Sequence, residues 1–453
     1  MELPMSVKLI ALAVADAGGR AYVVGGAVRD HLLGIEPKDF DVEVYGLQVE
    51  AIEAAVESAG FEVDACGRAF GVLKVKHEEI DISIPRRDNK VSKGHKGFVV
   101  EGDPTMSPKE AAYRRDYSMN SVAWSPYTGQ LVDPYNGLAD IESRTLRHTS
   151  ESFSEDPLRV LRGMQFAARF DLDVAPETIE VCKGLDMGEL HRERIREEWL
   201  KLILKGRKPS KGLKFLRDTG WIRFFPEIEA LIGVEQDPEW HPEGDVFEHT
   251  CQSLDASVAI TQHLDDYEKT VVRFAVLCHD FGKPETTEFV DGRIRSRGHE
   301  PAGAAPTRTF LERLFRSDNQ KRDPQLIEDV IPLVKEHLAP SMFYDQQVSH
   351  SAVRRLAKRV SRIDLLCLVS LSDRNGRGAL TAGSEKEAWL MEQAAAVAAV
   401  DSKPKPILQG RDLIANGMKP GPGFKQLLDA AYEAQLDGIF SDVESGIEWL
   451  KQQ

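Results

Sequence analysis

A paired glycine, Gly25-Gly26, opens a short helical pattern at Ala27-Val28-Arg29-Asp30. The chain then enters an alternating run, Lys38-Asp39-Phe40-Asp41-Val42-Glu43-Val44. Residues two apart on a strand share a face, so Asp39 and Asp41 are presented together. Two such carboxylates can hold divalent cations for an in-line phosphoryl displacement. The Gly25 and Gly26 amides and the helix start offer donors to phosphate oxygens. Around this core, residues 1–145 read as α/β. Strands are expected at Ala21–Val24, Asp39–Tyr45, Gly71–Lys76 and Ile80–Ile84, and helices at Val28–Leu33 and Val49–Ser58. The polar segment 86–110 reads as a mobile loop, and Ser121–Trp124 and Gln130–Val132 flank a turn at Pro126-Tyr127-Thr128-Gly129.

Beyond about residue 150 the pattern turns helical, with Leu158, Leu161, Phe166 and Ala167 on one face. Gly233, Pro238, Pro242 and Gly244 mark a boundary near 232–245, and a second helical module runs to about 380. The tail carries Pro420-Gly421-Pro422-Gly423 before a final amphipathic helix. The expected division is 1–148, 149–232, 233–380 and 381–453. The apolar stretch Leu9–Val14 is too short to cross a bilayer and reads as an amphipathic helix rather than a signal peptide. Five scattered cysteines with no Cys-x-x-Cys pair fit a reducing cytoplasm and exclude a thiolate zinc site. A net charge of −15 requires any RNA surface to be locally basic. Residues 191–217 supply such a stretch, with ten Lys and Arg against three Glu; it reads either as an RNA contact or as a solvated helix face.

Further groups suit the first site. Asp81, in Ile80-Asp81-Ile82, is a third carboxylate on a neighbouring strand or else a surface residue. Arg114-Arg115-Asp116 offers forked phosphate donors and a ribose acceptor, or a charge cluster at a helix end. Asp156 and Arg159, three apart at the start of a helix, either cap it or present an acceptor and a donor to the edge of a base; Arg162 continues the row. A second chemistry centres on His279-Asp280, at the end of the apolar run Phe274–Cys278. His249 lies upstream, and His299, His337 and Asp373 lie downstream. This spaced imidazole and carboxylate set suits a first-row transition metal.

In order, Gly-Gly-x-Val-Arg-Asp, Asp-x-Asp, Arg-Arg-Asp-x-x-x-Asn, Asp133-x-x-x-Gly137-x-x-Asp140 and Glu155-Asp156-x-x-Arg159 resemble the bacterial (class II) tRNA nucleotidyltransferase family over about residues 20–220. The later set resembles the HD phosphohydrolase superfamily. The resemblance implies an α+β chain: a polymerase-β-like head, an all-helical neck and body, then a helical HD domain.

It implies that Asp39 and Asp41 hold catalytic Mg²⁺, with Asp81 as the candidate third catalytic carboxylate. It further implies that Gly25, Gly26, Arg29, Arg115, Asp116, Asn120, Asp156, Arg159 and Arg162 bind CTP or ATP. Asp133–Asp140 would support the change in pocket between C and A addition, and segment 86–110 the final A. In the HD module, His249, His279, Asp280 and Asp373 would hold Ni²⁺, Mn²⁺ or Mg²⁺, and His299 and His337 phosphate or a second metal.

The implied activity is CCA addition to tRNA, joined to phosphatase, 2′-nucleotidase or 2′,3′-cyclic phosphodiesterase activity, with no membrane partner. Rival readings are an A-adding or CC-adding enzyme, a poly(A) polymerase, an HD hydrolase with an inactive head and a non-catalytic RNA-binding module. The intact acidic sets and the HD module count against the last three, and the long 86–110 segment against the CC-adding reading.

Overall fold

The computed structural model describes residues 1–64, 71–90, 98–316, 324–377, 384–421 and 423–453. The chain forms two compact units. The first comprises Met1–Glu198 and Lys211–Phe224, and the second Trp199–Ser210 and Phe225–Gln453.

The first unit is built on a seven-stranded sheet. Its strands are β1 (Arg20–Val24), β2 (Phe40–Tyr45), β3 (Val63–Asp64), β4 (Val72–Val75), β5 (Ile80–Ser83), β8 (Ala123–Trp124) and β9 (Leu131–Val132), ordered β3-β4-β5-β2-β1-β8-β9. β2 and β5 run parallel while the other neighbours are antiparallel. The β-branched residues Val23, Val42, Val44 and Ile82 face a core that also takes Val7, Ile10 and Val14 from the helix Met5–Asp16, and Ile52 and Val56 from the helix Val49–Ser58. The apolar stretch near the N-terminus thus forms an amphipathic helix, as its pattern predicts. Among the described residues no helix is long and apolar enough to cross a membrane.

The sequence places most of these elements to within a residue or two. One expectation fails. Within segment 86–110, β6 (Arg86–Lys90) and β7 (Phe98–Gly102) pair antiparallel, and a helix begins at Pro108 under a Ser107/Glu110 capping box. Phe98-Val99-Val100 is a β-prone run whose backbone pairing satisfies an otherwise polar partner strand. Residues 91–97 lie outside the described set.

Among its described residues the second unit is helical, apart from the hairpin formed by Thr287–Val290 and Arg293–Ser296. Helices Val246–Ile260 and Ile363–Asn375 carry His249 and Asp373, while His279 and Asp280 follow the helix Asp266–Cys278, His337 follows Pro324–Glu336, and His299 opens the short helix His299–Ala302. Trp199, Phe225 and Phe310 pack edge to face in this unit. Buried Arg273 donates to Ile203 O at 2.6 Å and to Thr261 Oγ1 at 2.9 Å. The tail helices 410–415, 423–436 and 443–450 gather Leu413, Ala431, Ile447 and Leu450 into a core of their own.

Candidate active sites

The register of the sheet builds the first site. Asp41 pairs with Val24 on β1 and with Asp81 on β5, so the two carboxylate-bearing positions are direct neighbours on parallel strands. Asp39 precedes the strand and is exposed. Glu43, two residues beyond Asp41, is buried; it accepts from the Tyr45 hydroxyl at 2.6 Å and lies 3.6 Å from Arg115. Partial burial raises the Asp41 carboxyl above the usual aspartate value. Arg115 opposes the rise, and the like charges of Asp81, Asp39 and Glu43 add to it. Acids crowded in this way form a site whose repulsion a divalent cation would relieve. Lys74 relieves part of it, lying 3.5 Å from Asp81.

Gly25 has φ +71°, a conformation open to glycine. A Cβ there would meet Arg115 Nη1 at 3.1 Å and Asp41 Oδ2 at 3.5 Å, so the turn lets the backbone come close to the acids.

A cleft of about 700 Å³ collects Asp41, Asp81, Arg115, Asp116, Asp156, Arg159 and Arg162. It also takes Glu43 and Arg194, which the sequence reading did not single out. Asp116 organises one wall. It accepts from Arg162 Nε at 2.6 Å, Asn120 Nδ2 at 2.9 Å and Tyr117 N at 2.8 Å. Burial alone would raise its carboxyl, but Arg162 and these donors outweigh burial and hold it below the usual value.

Asn120 and Arg29 stand behind that wall rather than in the cleft. Arg29 donates to Asn120 Oδ1 at 2.8 Å and to Asp30, and its guanidinium lies 4.7 Å from the Phe170 ring centre. Asp156 lies just before the helix Leu158–Phe170 and caps it through Leu158 N; its other oxygen takes Arg194 at 3.0 Å. Arg159 donates to Ser152 O and Arg114 O. Asp133 accepts from Gly137 N and Leu138 N, while Asp140 accepts from Ser118 and Arg147.

The basic stretch is divided between the two units. Lys211 is held by Asp171 and Asp173, and Arg217 lies 3.0 Å from Asp218.

The second site lies in the second unit, where all six sequence-predicted residues are buried and close together. His249, His279 and Asp373 form one set whose ligand atoms lie within 4.8 Å of one another, and Asp280, His299 and His337 form another. Asp280 stands between them: Oδ2 is 3.2 Å from His279 Nε2, and Oδ1 is 3.4 Å from His299 Nε2.

The tautomers are fixed by carbonyls that can only accept. His279 Nδ1 donates to Val276 O at 2.6 Å, His299 Nδ1 to Ser296 O at 2.7 Å, and His337 Nδ1 to Val334 O at 2.8 Å. The Nε2 atoms of His299 and His337 face each other at 3.3 Å, where the two rings can share a cation. Both Asp280 oxygens are buried, and Lys283 Nζ lies 2.8 Å from Oδ2. Burial and the neighbouring His279 and His299 push His337 down to about 3, so it stays a neutral ligand. Backbone carbonyls behind imidazoles are the usual outer support of metal-binding histidines.

The sequence reading missed His241 and Glu243. Glu243 lies 2.6 Å from His249 Nδ1 and 2.9 Å from His241 Nδ1, closing a third set with His249. Burial opposes its ionisation, yet bonds to His241 and His249 hold it down to about 2. The signal was Trp240-His241-Pro242-Glu243, just ahead of His249 in the segment read as a boundary.

Comparison with known proteins agrees with this division of labour. Residues 21–147 match the poly A polymerase head domain, 174–232 the probable RNA and SrmB-binding site of polymerase A, and 246–374 the HD domain. Both the head-domain and HD families are metal-dependent. The multifunctional CCA protein of Xanthomonas campestris is 34% identical over 92% of this chain and 98% of that protein. The one from Chromobacterium violaceum is 36% identical over 84% of this chain and 91% of that protein. The CCA-adding enzyme of Bacillus stearothermophilus, solved with CTP, shares the fold with a TM-score of 0.65 at 22% identity, covering 100% of this chain and 98% of that one. That of Thermotoga maritima, complexed with tRNA, gives 0.59 at 20% identity, covering 99% and 96%. A polymerase-β-like head, a helical body and an HD domain thus run in one α+β chain, and the chain belongs to the multifunctional CCA protein family.

Proposed function

We propose that this protein adds C, C and A in turn to tRNA 3′ ends, using CTP and ATP without a nucleic-acid template. The observation that carries the reading is the single cleft in which Asp41 and Asp81 face Arg115, the Asp116–Arg162 pair, and Asp156 with Arg159.

The 3′-hydroxyl oxygen of the tRNA bonds to the α-phosphorus as the bond to the pyrophosphate oxygen breaks. Arg115 holds phosphate oxygens, and Asp116 is kept ionised as an acceptor for the sugar. Asp156 and Arg159 present an acceptor and a forked donor to the base, and Arg162 anchors that wall. Mg²⁺ held by Asp39 and Asp41, with Asp81 beside them, would supply charge at the attacking and leaving oxygens. Gly25 and Gly26 give the triphosphate access to backbone amides, while Arg29 and Asn120 support the wall from behind.

In the HD module, His249, His279, Asp280 and Asp373 would hold Ni²⁺, Mn²⁺ or Mg²⁺, and His299 and His337 phosphate or a second metal. Their activity is phosphohydrolysis, as phosphatase, 2′-nucleotidase or 2′,3′-cyclic phosphodiesterase. A blocked tRNA end could thereby regain the hydroxyl that the transferase needs. We assign the head to 1–148, the neck and body to 149–232, the HD domain to 233–380 and the tail to 381–453. We place the protein in the cytoplasm, where its buried free thiols Cys182, Cys251, Cys278 and Cys367 would stay reduced.

Stepwise extension tests the reading. On tRNA ending at the discriminator base, CTP alone should add two nucleotides and ATP alone none. One A added only to tRNA that already ends in CC would make the protein an A-adding enzyme.

A further inference from the structure

The phosphohydrolase reading puts a blocked RNA end at the histidine centre and leaves open what holds the chain behind that end. We propose that the hairpin Thr287–Ser296 and Trp240 form a subsite for the nucleotide preceding the terminal one, so that the HD centre acts on the 3′ end of single-stranded RNA. This inference rests on the phosphohydrolase reading and gives it a substrate class.

The hairpin is tied to the metal-type set at its base. The Ser296 carbonyl orients His299 at 2.7 Å, and Thr287 Oγ1 bridges Ser296 Oγ at 2.7 Å and Lys283 O at 2.7 Å. From there the two strands reach a turn in which Asp291 and Gly292 both have positive φ, the compact two-residue connection that an Asp-Gly pair favours. A hollow of about 530 Å³ runs alongside, lined by Trp240, residues 293–298 and His299. A smaller cavity of about 250 Å³ over Asp280, His299 and His337 shares Ile294, Ser296 and His299 with it, so the two adjoin.

The hollow has the two chemistries that single-stranded RNA needs, an aromatic platform and guanidinium donors. Trp240 is 58% exposed, an unusual cost for an indole without a partner to stack on. Arg293 and Arg295 share a strand face and Arg297 follows. Arg293 is held by Glu239 at 3.1 Å. Among the described residues Arg295 and Arg297 have no ion pair or side-chain hydrogen bond, and they are left for a ligand. Of the nearby acids, Asp237 accepts from Glu239 N and Glu300 lies 3.5 Å from His299, while Glu288 stands directly across the hairpin from Arg295. A mononucleotide would fill the cavity over Asp280 and leave the arginines idle. A second nucleotide places its phosphate at Arg295 and Arg297 and its base against Trp240.

The test compares an RNA oligonucleotide ending in a 2′,3′-cyclic phosphate with a 2′,3′-cyclic mononucleotide, using the full chain. The wild type should show the lower KM for RNA. Arg295→Ala/Arg297→Ala should raise the RNA KM about tenfold and leave the mononucleotide constants unchanged. It should also reduce the log–log salt slope of binding by about 0.7 for each phosphate that the variant no longer neutralises. Trp240→Ala should raise the RNA KM by about tenfold because the base no longer stacks. A photoreactive base placed one nucleotide before the phosphate should cross-link to Trp240 or to the hairpin.

Equal KM values for the two substrates, or an arginine variant that leaves RNA kinetics unchanged, would overturn the proposal and turn attention to an acidic protein partner. If the wild type hydrolyses neither substrate, the cyclic phosphodiesterase part of the phosphohydrolase reading fails. The cross-link then decides the subsite alone: attachment at the hairpin upholds it, and attachment elsewhere removes it.

Discussion

Single side chains in the first site divide between those that meet substrate and those that hold them in place. We propose that Asp41 belongs to the first kind. Asp41→Asn keeps the volume and removes the charge, so nucleotide addition should fall by about a thousandfold or more while the melting temperature holds or rises, measured by single-turnover extension and calorimetry. A fall in stability of the same variant would assign Asp41 a structural role instead.

Asp116 shows the opposite balance. Its folded carboxyl lies below the ordinary value, so its bonds to Arg162 and Asn120 stabilise the protein fully above the unfolded aspartate range. That stability is lost as pH falls through the lower folded value. Arg162→Ala leaves a buried carboxylate short of its strongest donor and should cost about 1–3 kcal/mol at neutral pH. The loss should shrink as the medium is acidified, followed by denaturant unfolding across pH. Glu43 was legible in principle, since it sits two residues past Asp41. The acidic sequence alone did not tell a cleft residue from a buried partner of Tyr45 and Arg115.

At the level of elements, the glycine turn and the two acidic strands carry the design. Gly25→Ala combines a backbone conformation that disfavours side chains with a methyl 3.1 Å from Arg115. We expect a loss of about 1–3 kcal/mol and a higher KM for both nucleotides, measured by thermal unfolding and steady-state extension.

The strands were readable because alternation of valine and isoleucine with acids has a period of two, and the sheet buries one side of it. Segment 86–110 was misread because pairing there is between backbones. Arg86–Lys90 has no apolar alternation, and only the short Phe98-Val99-Val100 run announces a strand. Arg194 was hidden for a different reason: in a run of ten cations nothing local marks the one that reaches Asp156 across the fold. The HD ligands were legible as a spaced set. His241 and Glu243 were not, because a Pro- and Gly-rich stretch reads as a boundary until folding brings it onto His249.

Across the whole chain, the acid-lined cleft lies in the first unit and the histidine centre in the second. Each should therefore fail alone. His279→Ala with His337→Ala should abolish phosphate release and leave CCA addition within about twofold, scored on the same preparation by phosphate detection and gel extension; Asp41→Asn should do the reverse. Because buried imidazoles and carboxylates gather here with their ligand atoms close together, chelation should also lower the thermal stability of the HD unit, and Mn²⁺ or Ni²⁺ should restore it.

The central claim is ordered addition of three nucleotides, and intact-mass spectrometry tests it most directly. The substrate is tRNA ending at the discriminator base, incubated with Mg²⁺, CTP and ATP. The account predicts a gain of two C and one A and nothing further, absent in Asp39→Ala/Asp41→Ala. An unchanged mass with the wild-type protein, or extension that survives in the variant, would contradict it.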